Sequence, residues 1–346
     1  MNPPRPNLRL GDLSVGFVHS IAAAVRQHGH CPAELLERFE LSSARLAEPH
    51  ARLSIPRYMR LGHAAIQLTD NPALGLVIGQ HSLLSHIGLA GVTAAQAPTV
   101  RAAARCISRF EPLYAQNYRG ASQFLEDSEG AWLSFYSIAP YNPYNFFVVE
   151  SVLLGWINHL REVSQQHFEI ELLQIEFPAP SYAAAFTEKL NCPIEFNAEH
   201  NRIRFSQTSL ARNNPQHCAS TWHALLELCE QQLALKTRSN SLVEQVAQLI
   251  APLLKNGEPS IARIAQKLQM PTWTLRRKLA AQGTQFRQLV NQTRFDLASS
   301  YIRDTDLTFS EISWLLGFSS PEAFQRAFKR WAKQTPGQFR GAAGHR

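Results

Sequence analysis

The stretch ISWLLGFSSPEAFQRAF, residues 312–328, decides the fold of the C-terminal third of the chain. Ile312 and Leu316 stand four residues apart, the pattern breaks at Gly317, and two phenylalanines again stand four apart beyond the break. Residues four apart lie on one side of a helix, so this spacing predicts a short helix, a tight turn and a second helix. Such an arrangement is a helix-turn-helix, whose second helix can enter the major groove of DNA.

The same pattern occurs once before this stretch. The first copy has Ile264 and a leucine four residues later, then a break at residues 269–271, then two more leucines four apart. Ile264 precedes Ile312 by 48 residues, and Leu275 precedes Phe324 by 49. The two copies therefore match, apart from one extra residue in the second turn. This repeat predicts two helix-turn-helix motifs in succession.

The second helix of the first copy is predicted to present an aromatic and basic face. Trp273, Arg276 and Arg277 are spaced to share one side, while Leu275 points toward the core. Arginine can donate two hydrogen bonds to guanine, and an indole can pack on a thymine methyl group or a sugar. The alternative is a surface helix with a solvated basic stripe and a half-buried tryptophan. The repeat favours contact of these residues with DNA.

The equivalent helix of the second copy is predicted to meet DNA through polar residues. Ser320 begins this helix, where its hydroxyl and the free amides can meet phosphate. Gln325 can pair with adenine and Arg326 with guanine or phosphate, while Lys329 continues the basic side toward the DNA backbone. Glu322 shares their face, and two roles stay open for it: a contact with cytosine, or compensation of the helix dipole.

A long helix is predicted between the two copies, at residues 286–302. Its apolar residues recur at helical spacing, which predicts that it lies mostly in the core. A helix of this length spans roughly 25 Å. It could hold the two recognition helices in successive turns of the major groove, which are about 34 Å apart.

The stretch FSEISWLLGFSSPEAFQRAFKRW, residues 309–331, followed by TPGQFR, residues 335–340, resembles the AraC/XylS family of bacterial transcription regulators. The family pattern there is I-A-x-x-x-G-F, then S-x-x-x-F-x-R-x-F-K, then T-P-x-x-[FY]-R. Ser313 stands where the family usually has alanine, and Pro271-Thr272 replaces the serine that usually precedes the first recognition helix. The resemblance implies a sequence-specific, DNA-binding transcription regulator.

The same resemblance implies the partners of the chain. They are double-stranded promoter DNA, RNA polymerase and a second copy of the chain in a homodimer. An activator is expected, although the sequence leaves activation and repression both open. The apolar positions of residues 222–233 are a candidate dimer interface, but their periodicity does not distinguish an interface from a core.

The N-terminal region is similar to the arabinose-binding-like domain of OruR-type regulators of this family. The similarity lies in residues 53–56, 71–76, 87–90 and 110–113. It implies a domain that senses a small-molecule effector and dimerises, and it leaves the effector unidentified. An effector pocket is expected near the aromatic residues of the predicted sheet region, although plain core packing explains any single one of them: Trp132, Phe135, Tyr136, Tyr141, Tyr144 and Phe146.

The region ahead of the repeat reads as an α+β domain, helical first and mixed later. Helices are predicted at residues 14–28, 32–39, 54–68, 73–80, 98–110, 146–163 and 180–190, and strands at 118–125, 131–138 and 169–177. Residues 194–196 and 202–205 are predicted to pair around a turn, and residues 87–91 to form a close-packed turn or short element. We therefore expect a multidomain chain: an α+β effector-binding and dimerisation domain (1–210), a helical linker (211–239), and an all-α DNA-binding domain with two helix-turn-helix motifs (240–346).

Charge is distributed unevenly along the 346 residues. Residues 240–346 hold 15 Lys and Arg against 7 Asp and Glu, a net charge of +8, whereas residues 1–239 have a net charge of −1. A basic C-terminal third on a near-neutral body indicates a polyanion-binding module joined to a second domain. The alternative of a structural nucleoid protein without an effector fits this division poorly, because nonspecific DNA binding needs only charge.

Several other classes of protein are not supported by the sequence. The five cysteines show no CxxC spacing, which argues against a zinc site or a disulfide framework and favours a reducing cytoplasm. No run of about 18 apolar residues predicts a membrane span, and Met1–Leu10 does not resemble a signal peptide. An enzyme fused to a DNA-binding tail is the main alternative. No HExxH, GxSxG, P-loop or GxGxxG pattern supports it, so we expect no catalytic residue, metal or cofactor.

Overall fold

The computed structural model describes residues 11–117, 119–139, 141–165, 169–239, 241–256, 259–304 and 307–343. The segment Met1–Leu10, Tyr118 in a predicted strand and Asn240 at the start of the predicted DNA-binding domain lie outside these residues. Two compact units are distinguished: Asp12–Ala234, which we call the N-terminal unit, and Leu235–Arg346, which we call the C-terminal unit.

The first part of the N-terminal unit is mainly helical, as its apolar periodicity predicts. Pro32 and Pro56 stand in the first turns of their helices, where a missing amide costs nothing. The elements in chain order are β1 (Gly11–Ser14), α1 (Gly16–Gln27), α2 (Pro32–Arg38), α3 (Ser43–Ala47), β2 (Arg52–Ser54), α4 (Ile55–Thr69), α5 (Leu74–Gln80), a 3-10 helix (Leu84–Ile87), α6 (Gly88–Ala95), α7 (Val100–Arg109), α8 (Glu111–Tyr114) and β3 (Ala115–Asn117).

The remainder of the unit alternates strands with helices. The predicted strand at 169–177 and the predicted helix at 180–190 are both present but shorter than expected. The elements are β4 (Gln123–Glu126), β5 (Gly130–Phe135), α9 (Phe146–Ser164), β6 (Leu172–Gln174), α10 (Ala184–Lys189), β7 (Ile194–Glu195), β8 (Asn201–Ser206), α11 (Gln207–Leu210) and α12 (Ala219–Ser239).

The described residues form two sheets, and the sequence indicated only one of them. The unpredicted sheet has three short strands in the order β2-β1-β3, with Asp12 opposite Ser54. The second sheet has the order β4-β5-β8-β6-β7. Its antiparallel strands β4 and β5 correspond to the strands predicted at 118–125 and 131–138, although β4 begins only at Gln123. In β5 and β8, Leu133 and Ile203 are opposite each other and buried against the core.

One sequence-based expectation for this unit was wrong. Residues 194–196 and 202–205 do not pair around a turn: β7 pairs in parallel with β6, and β8 is a central strand between β5 and β6. With both of its edges already paired, β8 has no free edge for β7. The short element expected at residues 87–91 is present as the first part of the eight-residue helix α6, where burial of Ala90 and Ala94 compensates for the low helix propensity of the glycines.

Helix α9 passes through the core of the N-terminal unit. Leu153, Ile157 and Leu160 are at most 1% exposed and belong to the larger apolar cluster, which includes the inner face of the five-stranded sheet. Phe147, near the start of α9, belongs to the second cluster, formed mainly by α1, α4 and α5. This helix therefore joins the two parts of the unit, and any group buried on it lies deep in the fold.

Helix α12 begins in the N-terminal unit. Cys229 is fully buried there, and Trp222, Leu226 and Leu233 pack against the larger apolar cluster. These residues belong to the candidate dimer interface, which stays a prediction, and part of their apolar surface contacts the core of their own chain. The predicted limits of the linker, 211 and 239, remain predictions.

The C-terminal unit is helical throughout its described residues, so the predicted fold class is confirmed. Ser260 caps α14 by accepting a hydrogen bond from the amide of Ala262 over 3.2 Å. The elements are α13 (Leu242–Ile250), a 3-10 helix (Ala251–Asn256), α14 (Ile261–Lys267), α15 (Thr272–Ala281), α16 (Phe286–Asp304), α17 (Phe309–Leu315), α18 (Pro321–Ala332) and α19 (Pro336–Ala343).

Candidate nucleic-acid interface

The two predicted helix-turn-helix motifs, α14–α15 and α17–α18, turn in the same way. Each first helix is followed by one residue in the left-handed conformation, Gln269 (φ 52°) and Gly317 (φ 68°). The amide of Met270 donates to the carbonyl of Ala265 over 3.0 Å, and the equivalent bond in the second copy is also 3.0 Å. These bonds close a Schellman motif, which satisfies the last carbonyls of the helix and fixes the exit direction of the chain.

Different buried side chains anchor the second helices of the two motifs, α15 and α18, to the core. In α15 the residues that face the core are Leu275 and Leu279, which are 0% and 1% exposed. In α18 they are Phe324 and Phe328, both 0% exposed, with ring centroids 5.9 Å apart. The rings of Phe295, Phe318, Trp331 and Phe339 extend this aromatic cluster. Because one side of each helix is anchored in this way, the opposite side is presented to solvent.

On α15 the exposed face contains the three predicted residues. The Trp273 side chain is 63% exposed, and Arg276 and Arg277 are exposed as well. The guanidinium carbon of Arg277 lies 5.2 Å from the centroid of the Trp273 ring. A cation–π contact of this kind is worth about 0.5–1 kcal/mol at an exposed site. Trp273 therefore restricts Arg277 before any ligand arrives.

On α18 the exposed face contains Glu322, Gln325, Arg326 and Lys329. Glu322 lies 49 residues after Trp273, and Arg326 lies 49 residues after Arg277, so the two faces are equivalent. Hydrogen bonding from Ser320 and, to a smaller extent, the charge of Arg326 hold the pKa of Glu322 below its usual value. In both helices a residue of the first turn therefore interacts with the arginine one turn later. In α15 Trp273 makes a cation–π contact with Arg277, and in α18 the charge of Glu322 attracts Arg326.

Ser320 takes part in the start of α18 itself. Its hydroxyl oxygen accepts a hydrogen bond from the amide of Ala323 over 3.2 Å. The helix that precedes it begins with a reciprocal cap, in which Thr308 and Glu311 each accept a hydrogen bond from the other's backbone amide. Pro271, at the start of α15, offers no side-chain cap. A phosphate contact by Ser320 therefore has to share a hydroxyl that already stabilises the helix.

Two arginines of the basic C-terminal unit donate hydrogen bonds to backbone carbonyls and so stabilise the fold. Arg294 donates from Nε to the carbonyl of Leu316 over 3.0 Å, which holds the end of α17. Arg340 donates to the carbonyls of Ile302 and Leu307 over 3.2 and 2.5 Å and stacks on the ring of Phe309. Net charge alone therefore overstates the number of cations available for DNA. No spacing pattern predicts this role for Arg294, whereas Arg340 closes the family pattern at residues 335–340.

Within the parts of the chain that the structure describes, no three His, Cys, Asp or Glu side chains are grouped so that they could hold a metal ion. Over the same residues, no helix has both the length and the apolar character that a bilayer crossing requires.

Comparison with known protein families agrees with the two-part architecture. A helix-turn-helix domain model matches residues 264–342. The model for the arabinose-binding domain of AraC transcription regulators, N-terminal, matches residues 29–214. The chain belongs to the AraC family of transcription regulators. This AraC-family protein is a DNA-binding transcription regulator with an arabinose-binding-like domain ahead of its helix-turn-helix motifs.

Individual relatives of this AraC-family chain are similar over nearly its whole length. The ornithine utilization regulator of Pseudomonas aeruginosa is 25% identical over 333 residues, 95% of this chain and 96% of the relative. The HTH-type transcriptional regulator VirS of Mycobacterium tuberculosis is 24% identical over 320 residues, 92% of this chain and 94% of the relative. Among solved structures, the transcriptional regulator CdpR from Pseudomonas aeruginosa is 21% identical, with a TM-score of 0.44 over 89% of this chain and 96% of its own.

Proposed function

We propose that this AraC-family regulator contacts two successive major grooves of its operator, one with α15 and one with α18. The observation that carries the proposal is the equivalence of the two exposed faces, which follow the same turn and carry an arginine at the same helical position. The proposed contacts are those of the sequence prediction: Trp273, Arg276, Arg277, Ser320, Glu322, Gln325, Arg326 and Lys329.

Selection from a random DNA library with the full-length chain tests this proposal. We expect a motif with two parts about one helical turn apart, roughly 34 Å. Arg277→Ala and Arg326→Ala should each cost about 1–3 kcal/mol at the selected site and relax the base preference in one part of the motif only. If both variants lost the base preference in the same part of the motif, the assignment of one groove to α15 and the other to α18 would be contradicted. Binding that is salt-sensitive but blind to sequence would favour the nucleoid function instead.

We further propose that the N-terminal unit binds a small-molecule effector and joins two copies of the chain in a dimer. The dimer acts in the cytoplasm as an activator, together with RNA polymerase. The match of residues 29–214 to the arabinose-binding domain family supports the effector. The name of one relative refers to ornithine utilization, which makes L-ornithine a rational first compound to test. Sedimentation of the full chain with and without the compound would measure the dimer directly.

A further inference from the structure

The five-stranded sheet of the N-terminal unit has one buried face and one face that is partly open to solvent. Leu133 and Ile203 point into the core, so the residues that alternate with them point outward. Outward faces of this kind usually carry polar side chains. Here Leu125 is 52% exposed, and its cross-strand partner Trp132 is partly exposed. We call this surface the outer sheet face, and its members are Leu125, Trp132, Leu172, Gln174, Arg202 and Arg204.

At one end of the outer sheet face, negative charge is in excess. Arg204 is 8% exposed and donates hydrogen bonds to both carboxylate oxygens of Asp127 over 2.6 and 2.8 Å. Two more acids approach the same guanidinium, Glu129 at 3.8 Å and Glu171 at 3.7 Å. Three carboxylates around one guanidinium leave two negative charges that Arg204 does not compensate.

Arg202 carries a positive charge that no acid compensates. Its guanidinium carbon lies 3.8 Å from the centroid of the Trp132 ring, and its Nε donates a hydrogen bond to Oε1 of Gln174 over 2.6 Å. Among the described residues, neither of its terminal nitrogens has a hydrogen-bond or ion-pair partner. Because the stack and the Nε bond already fix the plane of the guanidinium, little side-chain freedom remains to be lost when it pairs with a carboxylate.

The order of these charges along the strands makes the face self-complementary. Arg204 stands opposite Trp132, and Arg202 lies two residues further along β8, at a distance of about 7 Å. Asp127 and Glu129 lie on the other side of this level, in the turn between β4 and β5. A two-fold axis that crosses the strands at the level of Trp132 reverses this order. Each Arg202 then faces the acidic end of the other copy, as a symmetric interface between identical surfaces requires.

We propose that the outer sheet face binds the same face of a second copy of the chain. Arg202 of each copy pairs with the acids around Arg204 of the other copy, and the apolar side chains of Trp132 and Leu125 lie near the centre. This inference rests on the proposed dimerisation of the N-terminal unit and adds the surface that carries it, which differs from the α12 candidate at residues 222–233. Five strands about 4.8 Å apart give a face roughly 20 Å wide. This is small for a specific interface, so the dimer is reversible and depends on concentration.

Sedimentation equilibrium of the full-length chain over a range of concentrations tests the proposal through charge reversal. Arg202→Glu and Glu129→Arg each replace attraction by repulsion at two contacts, because every contact occurs twice about the axis. Each variant should raise the Kd of the dimer at least about tenfold. An equimolar mixture of the two variants should restore dimers of nearly wild-type affinity, since opposite charges then meet at both contacts. A variant that is merely misfolded would not be rescued by mixing.

Two features of the chain sharpen this experiment. Glu129 suits charge reversal because its side chain is 88% exposed and approaches Arg204 only at 3.8 Å, so Glu129→Arg leaves the stack of Arg202 on Trp132 intact. Arg38→Glu is the matched control, because Arg38 is exposed on α2, outside the sheet, and the variant makes the same change of charge. It should dimerise as the wild type does.

Each possible failure has a distinct meaning. A wild-type chain that stays monomeric at every concentration would overturn both this surface and the proposed dimer. A wild-type dimer that Arg202→Glu and Glu129→Arg leave unchanged would overturn the surface alone, and so would a mixture that restores no dimer. If Arg202→Glu does not fold, Glu129→Arg alone carries the test, and an unchanged Kd in that variant would overturn the surface. Operator selection reports on the DNA-binding proposal separately.

Discussion

At the scale of single residues, Trp273 is the proposed DNA contact whose surroundings the structure defines best. It is the most exposed of the large apolar side chains among the described residues, and its ring lies under Arg277. We predict that Trp273→Ala weakens operator binding about two- to fivefold, because Arg277 loses the partner that orders it. Fluorescence anisotropy with the selected operator measures the loss.

Lys278→Ala is the matched control for Trp273→Ala, because Lys278 is exposed on the same helix but points away from the face that Trp273 and Arg277 share. The effect of Trp273→Ala should persist as salt concentration rises, since a cation–π contact with a neutral ring involves no ion pair that salt would screen. A loss that disappears at high salt would show that Trp273 does not act through Arg277.

The sequence predicted which residues share a face, because helical spacing is a local property. It placed Trp273, Arg276 and Arg277 together, and the structure agrees. It did not predict that the Ser320 hydroxyl would cap its own helix, or that Arg294 and Arg340 would donate hydrogen bonds to backbone carbonyls. These contacts depend on distances between segments that a spacing pattern does not contain. The buried Oε2 of Glu150, which has no hydrogen-bond partner among the described residues, escaped prediction for the same reason.

At the scale of secondary-structure elements, the turn of the second motif makes the sharpest prediction. Gly317 adopts φ 68°, a conformation in which an L side chain is strained. We predict that Gly317→Ala destabilises the C-terminal unit by about 1–2 kcal/mol. Hydrogen exchange of the α17 and α18 amides, measured by mass spectrometry on the full chain, would report the change.

Substitutions at two other positions serve as controls for Gly317→Ala. Gly337→Ala, on α19, should be neutral, because no atom lies within 4 Å of the added Cβ and the backbone there is not left-handed. Gln269 occupies the left-handed position of the first turn, so Gln269→Gly should not destabilise its motif. If Gly317→Ala exchanged no faster than Gly337→Ala, the turn would not be under the backbone constraint that we infer.

Helices were predicted better than strands, and the reason is physical. Helix α16 was expected at 286–302 and spans Phe286–Asp304, because its hydrogen bonds and its apolar face are both local. Strands β1, β2 and β3 were missed: they are three or four residues long, and each needs a partner that is distant in sequence. The partners of β7 and β8 were likewise set by tertiary packing and not by their proximity in the chain.

At the scale of the whole molecule, the excess positive charge of the C-terminal third predicts salt-dependent DNA binding. Lys329→Ala should lower the slope of log affinity against log salt by about 1 and weaken all sequences alike, because a phosphate contact carries no base information.

Arg340→Ala removes the same formal charge but also two hydrogen bonds to carbonyls. We expect it to reduce stability and leave the slope nearly unchanged. Equal slopes for both variants and the wild type would exclude Lys329 as a phosphate contact.

The pH dependence of stability should show opposite contributions within the N-terminal unit. Burial lowers the pKa of His159 to about 3 and raises that of Glu150 to about 8. The unfolded histidine binds more protons than the folded one, so its contribution is present above about pH 6.5 and is lost as pH falls toward 3. The buried acid behaves oppositely: its contribution is present below about pH 4.5 and is lost as pH rises through 8.

Glu150→Gln separates these two contributions, because glutamine keeps the shape of the side chain and cannot ionise. We predict that the variant is close to the wild type in stability at about pH 5 and exceeds it at about pH 9, by an amount on the order of a few kcal/mol. Urea unfolding followed by tryptophan fluorescence measures the difference. A difference that does not change with pH would mean that Glu150 ionises as easily in the folded chain as in the unfolded one. In that case the fold would impose no cost on the charge of Glu150.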